Sequence, residues 1–263
     1  AVQGNVLLRR AQHLALSSAE VPVHIARQMV AGKIQNSRQI LLRAARESQD
    51  VADHEGLAAR AAQLADILGR LPALQTLNEL RGAEGEAARA YFEAFRCMVL
   101  ADREALGPTG RTRRPPRDPV NSVLSFLYAL LRSECGAALE AVGLDPQIGY
   151  LHALRPGRPA LALDLMEEFR AIVVHSVVLR CLNTVPITAA DFSPGTTLDR
   201  PIILSDNGKR HLIRTFEERV ETTIRHPVTH EQMTYRRAFE IQTRLLARCL
   251  REGTPNYQPF RVR

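Results

Sequence analysis

Pro119-Val120-Asn121-Ser122-Val123-Leu124-Ser125-Phe126-Leu127-Tyr128-Ala129-Leu130-Leu131 runs on through Arg132-Ser133-Glu134-Cys135-Gly136-Ala137-Ala138-Leu139-Glu140-Ala141-Val142 and stops at Gly143. This reads as one long helix over Val120 to Val142. Val123, Leu124, Phe126, Leu127, Leu130, Leu131 and Leu139 make it apolar on most sides, so it belongs at the centre of a core. Gly143 supplies the stop, and Asp145-Pro146 turns the chain.

Helical periodicity continues outward on both sides. Val21 to about Arg46 is a long helix with a broken apolar stripe of Ile25, Met29, Ile34, Leu41 and Ala45. Lys33, Arg38, Arg43 and Arg46 fall off that stripe, as a solvated basic face or as a phosphate-tracking one. Further helices are expected from Val51 to Leu68 with Gly69 as cap, from Ala83 to Leu106, and from Ala160 to Leu182. Two more are expected near Arg210–Ile224 and Met233–Arg251. A hairpin fits the mixed stretch from Leu198 to Gly208. Gly107 to Pro119 is the strongest loop signal. It is stiffened by prolines and carries Arg111, Arg113, Arg114 and Arg117, which suits either a solvated linker or a phosphate clamp. The fold class is therefore mostly α.

Composition narrows the function. The 263 residues carry a net charge of +7, which favours an acidic partner, nucleic acid first and an anionic membrane second. No unbroken apolar run reaches the about 18 residues a spanning helix needs, so nothing is expected to span a bilayer; no membrane is expected among the partners. Cys97, Cys135, Cys181 and Cys249 are far apart and are expected as buried, reduced thiols in a cytoplasmic protein. The chain has no Trp, and 5% aromatic content does not support a base-stacking platform. No Gly-rich phosphate loop and no Ser/His/Asp or Cys/His nucleophile arrangement stands out.

Three segments carry the chemistry. In Arg81-Gly82-Ala83-Glu84-Gly85, helical spacing puts Glu84 on the face of Ala88, Tyr91, Phe92 and Phe95. A buried carboxylate there needs a counter-charge, and an arginine, a helix N-terminus or a metal would each serve. Gly82 and Gly85 suggest a close backbone approach. His152 lies in a short apolar stretch, as a hydrogen-bonded core residue or a ligand. Asp164, Glu167 and Glu168 follow at i, i+3 and i+4, crowding one side of a helix among leucines. His226 and His230 read as loop residues because Pro227 breaks any helix between them, and zinc is not favoured there.

The chain resembles one family, CRISPR-associated protein one, the integrase of CRISPR adaptation. The resemblance rests on Arg81-Gly82-x-Glu84-Gly85 with Ala88-Arg89-x-Tyr91-Phe92, and on Arg113-Arg114-Pro115-Pro116-Arg117-Asp118-Pro119-Val120-Asn121. It continues in Gly143-Leu144-Asp145-Pro146-x-x-Gly149-x-Leu151-His152, in Arg155-Pro156-Gly157-Arg158-Pro159 through Leu163-Asp164-Leu165-Met166-Glu167-Glu168, and in Tyr257-Gln258-Pro259-Phe260. It implies a divalent metal site, Mg²⁺ or Mn²⁺, held by Glu84, His152 and Glu167, with Asp164 as a supporting acid. The implied reaction is attack of a DNA 3′-hydroxyl on a repeat phosphodiester, or hydrolysis of branched DNA when water attacks. A non-catalytic DNA-binding scaffold subunit of the same complex is the alternative.

The resemblance also implies partners: double-stranded and branched DNA, a second copy of the chain, and CRISPR-associated protein two. An iron–sulfur CRISPR nuclease, separate or fused, is a further partner it allows. Family members begin with a β-rich domain of which no counterpart is visible here. Residues 1–263 are thus expected to be the helical catalytic domain, with 1–20 as a linker from a preceding domain. Lys33, Arg38, Arg43, Arg111, Arg113, Arg114 and Arg117 are the candidates for DNA backbone contacts, chosen by charge and context.

Overall fold

The computed structural model describes residues 5–108, 110–112, 115–184, 187–197 and 200–262. Among them run α1 (Val6–Leu16), α2 (Val21–Glu47), α3 (Val51–Arg70), α4 (Leu77–Phe95), α5 (Arg103–Leu106), α6 (Pro119–Val142), α7 (Ala160–Met166), α8 (Ser176–Asn183), α9 (Asp206–Val220) and α10 (Tyr235–Glu252). Two antiparallel hairpins complete the fold, β1 (Phe192–Thr197) with β2 (Arg200–Leu204) and β3 (Thr223–Arg225) with β4 (Gln232–Thr234). The mostly-α expectation holds. The first hairpin begins ahead of the stretch predicted for it, and its second strand lies inside that stretch.

Helix α6 forms where its ends are chemically marked. Asp118 accepts from the Asn121 N–H at 2.8 Å, Pro119 opens the first turn, and Gly143 closes the last with φ 98°. By length and composition α6 is apolar enough to cross a bilayer, but its setting is that of a core helix. Val123, Leu124, Leu127, Leu131 and Leu139 are fully buried against α7 and α10. Arg132, Ser133 and Glu140 are exposed. The helix is therefore one-sided rather than apolar on most sides.

Helices α2, α3 and α4 pack on one another as a second layer. The predicted stripe of α2 is real: Ile25, Met29, Ile34 and Leu41 are at most 1% exposed. Each contributes about 1.5–3 kcal/mol by leaving water.

Several element boundaries differ from the sequence reading. Helix α3 runs through Gly69 to Arg70 before a tight turn at Leu71–Ala73. Helix α4 starts at Leu77, ahead of the predicted Ala83, because Thr76 and Glu79 form a reciprocal capping box, with the Glu79 N–H on Thr76 Oγ1 at 3.2 Å. Gly82 and Gly85 thus fall inside α4, where a Cβ would meet nothing within 4 Å, so the expected close approach is absent.

The helix predicted over Ala160 to Leu182 is broken into three. Helix α7 ends at Met166, a turn follows, and residues Arg170–His175 are π-helical before α8 begins. The Asn36 amide donates to the Glu168 carbonyl at 2.7 Å, taking an acceptor from the helical ladder at this point. Helix α1, in the stretch read as a linker, is docked. Gln12 donates to the carbonyls of Asp145 and Ile148 at 2.8 and 3.0 Å, holding the loop that leads to His152.

The hairpin of β3 and β4 buries His226 completely. Its Nδ1 accepts from the N–H groups of Val228 and Thr229, both at 3.2 Å, so the neutral ring closes the turn. Burial, with His230 acting in the same direction, lowers its pKa from 6.5 to about 4. A depressed histidine stabilises the fold fully above its unfolded value, and the contribution is lost as pH falls from about 6.5 to about 4. The expected loss is on the order of 2–3 kcal/mol. Denaturant melts at the two ends of this window should show a smaller acid loss in His226→Asn than in wild type. Equal losses would contradict the assignment.

Candidate active site

Four elements meet around one point: α2 brings Lys33, α4 brings Glu84, the loop after α6 brings His152, and the turn after α7 brings Glu167. The three acids expected to crowd one helical side diverge because α7 ends between them. Asp164 faces the His152 loop, Glu167 faces Lys33 and Arg170, and Glu168 faces the C-terminal tail.

Asp164 is fully buried and organises the loop. Its Oδ2 accepts from the N–H groups of Tyr150 and Leu151 at 2.6 and 2.9 Å, and Oδ1 accepts from the His152 N–H at 2.9 Å. The same Oδ1 lies 2.6 Å from His152 Nδ1. A carboxylate accepts there, so Nδ1 carries a proton and Nε2 faces Glu167, whose Oε1 is 3.7 Å away. Gly149 makes this packing possible: a Cβ would come within 2.6 Å of the Ala160 carbonyl carbon and 2.7 Å of Asp164 Oδ2.

Glu167 is 1% exposed and surrounded by positive charge. Arg170 Nη1 is 2.8 Å from Oε1, and Lys33 Nζ is 2.8 Å from Oε2. Burial alone would raise its pKa, but Arg170, Lys33 and His152 outweigh it and hold the carboxyl down at about 2. Lys33 also contacts Glu84 directly. Burial would lower the Lys33 pKa, yet Glu167 and Glu84 raise it on balance. The counter-charge that Glu84 required is therefore Lys33 in this structure. Lys33 is 12% exposed inside the site and not on a solvated basic face.

Glu168 accepts from the Tyr257 hydroxyl, the Phe260 N–H at 2.6 Å and the Gln242 amide at 2.8 Å. Burial raises its carboxyl to about 7 despite these donors. Asn36 also donates to the Phe260 carbonyl at 2.8 Å, so the tail is tied to the turn that carries Glu167.

The donor set suits a hard divalent cation: two carboxylates and an imidazole nitrogen with its proton fixed on the far side. Glu167 Oε2 is buried and has no hydrogen-bond donor aligned with it, although Lys33 stands at ion-pair distance. Among the described residues no three His, Cys, Asp or Glu side chains already close on one point, because the Lys33 ammonium lies between the two glutamates. The residues fit a cation in chemistry and facing, with Lys33 as the group that has to give way.

These side chains floor a cleft of about 950 Å³ whose walls carry Arg111, Arg132, Arg155, Arg158 and Arg170. Of the expected DNA-contact residues, Arg111 lines the cleft and donates to Asn121 Oδ1 at 2.6 Å. Arg117 is exposed, and Arg43 is exposed and paired with Glu47 at 2.8 Å. Arg38 is half-buried on α2. Arg113 and Arg114 lie outside the described residues. Sequence reasoning did not single out Arg132, Arg155, Arg158 and Arg170 as cleft residues. The signal for two of them was available, because a loop bounded by His152 and Asp164 has to pass the mouth of the site. Cys135, Cys181 and Cys249 are buried free thiols as expected, and Cys97 is partly exposed.

With this geometry in place, comparison with known proteins gives consistent results. The family described as CRISPR associated protein Cas1 matches residues 1–218. A protein of Moorella thermoacetica named CRISPR-associated endonuclease Cas1 1 is 46% identical over 265 aligned positions, covering 100% of this chain and 76% of its own. A Geobacter sulfurreducens protein named CRISPR-associated exonuclease Cas4/endonuclease Cas1 fusion is 39% identical, with 98% of this chain and 46% of its own covered. A solved partial Cas6-RT-Cas1–Cas2 complex contains a chain that matches with a TM-score of 0.82 at 26% identity, over 95% of this chain and 72% of its own.

Proposed function

The chain belongs to the CRISPR associated protein Cas1 family, and from that premise we propose that its cleft is the active site of a divalent-metal-dependent DNA endonuclease and integrase of CRISPR adaptation. The observation that carries this reading is the convergence of Glu84, His152 and Glu167 on the floor of a cleft walled by five arginines. Clustered carboxylates repel a DNA phosphate unless a cation intervenes, whereas the arginines attract it. Relatives named endonucleases support the same chemistry.

Glu84, Glu167 and His152 Nε2 would hold Mg²⁺ or Mn²⁺, which when bound stabilises charge on the attacked phosphate and acidifies the attacking hydroxyl. Asp164 fixes the His152 ring and its tautomer through the contact at 2.6 Å. Arg111 and Arg170 present guanidinium forks to phosphate oxygens. Lys33 moves off the carboxylates and remains as a cation beside the phosphate. The 3′-hydroxyl of an incoming DNA end gives up its proton to solvent as its oxygen bonds to phosphorus of the repeat. The bond from that phosphorus to the leaving strand's 3′-oxygen breaks, and this oxygen takes up a proton. Water in place of the hydroxyl makes the same step a hydrolysis.

Double-stranded and branched DNA are the proposed substrates, acted on in the prokaryotic cytoplasm by a homodimer. The similarity to a chain of a Cas6-RT-Cas1–Cas2 complex supports a Cas2 partner. The relative named a Cas4/Cas1 fusion supports association with a Cas4-type nuclease. The test is joining of a short 3′-hydroxyl duplex to a repeat-bearing plasmid with Mn²⁺ or Mg²⁺ and the partner protein. Joining is expected to be lost in Glu84→Ala and His152→Ala with DNA binding retained, and joining that survives both would overturn the reading.

A further inference from the structure

Tyr128, on the face of α6 toward the cleft, touches more of the site's charge than any aromatic core residue needs to. The Arg111 guanidinium carbon lies 5.4 Å from its ring centroid and that of Arg170 lies 5.0 Å away. Both arginines line the same cleft as Glu84, His152 and Glu167, and so does Tyr128 itself. One ring thus stands beside two guanidinium groups, adding a cation–π contact to the bonds that Arg170 makes with Glu167 and Arg111 makes with Asn121.

The ring is held from behind. The Tyr128 hydroxyl is 2.6 Å from His175 Nε2, and His175 Nδ1 is 2.9 Å from the Tyr91 hydroxyl. His175 is 4% exposed, and its ring stacks on Tyr91 with centroids 5.1 Å apart. Burial, aided by the charges of Arg170, Lys33 and Arg111, keeps its pKa well below the usual value. A neutral imidazole has one donor and one acceptor, so it donates to one tyrosine hydroxyl and accepts from the other. The chain Tyr91–His175–Tyr128 is therefore a hydrogen-bonded network that ends at the cleft.

The local backbone explains why both contacts are possible. Arg170 and His175 are five residues apart, which in an α-helix would aim them about 140° from each other. The π-helical register over Arg170–His175 closes that angle, and both side chains reach Tyr128. A wide turn placed here has a packing cost, and the site is what it serves.

We propose that Tyr128, anchored through His175 and Tyr91, is a positioning residue that holds Arg111 and Arg170 as a paired clamp for adjacent phosphates of the bound DNA. The proposal rests on the cleft being the DNA site. It makes the ring of Tyr128, rather than its hydroxyl, the element the guanidiniums depend on.

The test is the salt dependence of binding of a fluorescein-labelled flap duplex by the full chain, with melting temperature measured alongside. Wild type should show a steep fall of affinity with salt. Tyr128→Leu should reduce the slope of log K against log salt by about one to two, as when one or two phosphates are no longer neutralised, while the fold is retained. Tyr128→Phe keeps the ring and should keep the wild-type slope. A folded Tyr128→Leu with an unchanged slope overturns the proposal, as does a Tyr128→Phe slope reduced as far as that of Tyr128→Leu. If Tyr128→Leu does not fold, Tyr128→Met replaces it: removing the ring should lower the slope, and no change in the folded variant overturns the proposal. A wild-type protein without salt-dependent affinity would instead sink the DNA-cleft reading, and the clamp with it.

Discussion

Glu167→Gln is expected to remove DNA cleavage and joining by at least about a hundredfold while leaving duplex affinity unchanged or tighter. Outer-sphere partners of a metal are worth about 10–100-fold, and loss of a ligand should exceed that. The substitution keeps the volume and removes one negative charge from a buried cluster in which Arg170 and Lys33 lie 2.8 Å from the carboxylate. Its effect on chemistry and on binding should therefore have opposite signs. Fewer carboxylate charges repel the phosphodiester less, but nothing replaces the ligand. Activity within a few-fold of wild type would mean that Glu167 serves only as an internal ion-pair partner. Parallel loss of affinity and activity would point to a collapsed cleft.

Asp164→Ala should produce the largest stability loss of any single change at the site, about 3–5 kcal/mol, together with loss of activity. Its carboxylate satisfies the N–H groups of Tyr150, Leu151 and His152 and the His152 ring at once. Alanine would leave three backbone donors and an imidazole N–H without acceptors in a site that admits little water. The melting temperature should drop by about 10 °C or more. Asp164→Asn retains shape and part of the accepting capacity, so it should recover much of the stability. It should not restore activity, because the amide no longer draws the His152 proton onto Nδ1. A variant of normal stability would show that the loop holds its form without this carboxylate.

Much of this architecture was legible in the residues, and the misreadings have physical causes. The apolar period of α6 with Asp118-Pro119 before it and Gly143 behind it specifies the helix and both ends. The site triad was legible as three motifs far apart in sequence, and the fold brings all three to one cleft. Glu84 was legible as a carboxylate needing a partner, although it is partly exposed rather than buried, and its partner Lys33 was not legible. Periodicity assigns Lys33 to the polar side of α2 and cannot say that α4 packs against that side. The break after α7 was hidden for a similar reason. It depends on Asn36, 132 positions away, taking the Glu168 carbonyl, and no window of local sequence contains both. Arg170, two residues beyond Glu168, was passed over because its importance comes from a π-helical register that propensity does not encode. Local signals therefore specified elements and the acids and histidine that meet in the cleft, and the charge balance that surrounds them depended on tertiary packing.

The measurement that bears most directly on the metal-dependent reading is anomalous diffraction from crystals grown with Mn²⁺. The expected result is one strong peak bounded by the carboxylates of Glu84 and Glu167 and by His152 Nε2, at oxygen distances of about 2.0–2.3 Å. Lys33 would be displaced from between the two glutamates. A cleft with Lys33 still bridging Glu84 and Glu167 at saturating Mn²⁺, or a peak bound by other residues, would contradict the proposed chemistry.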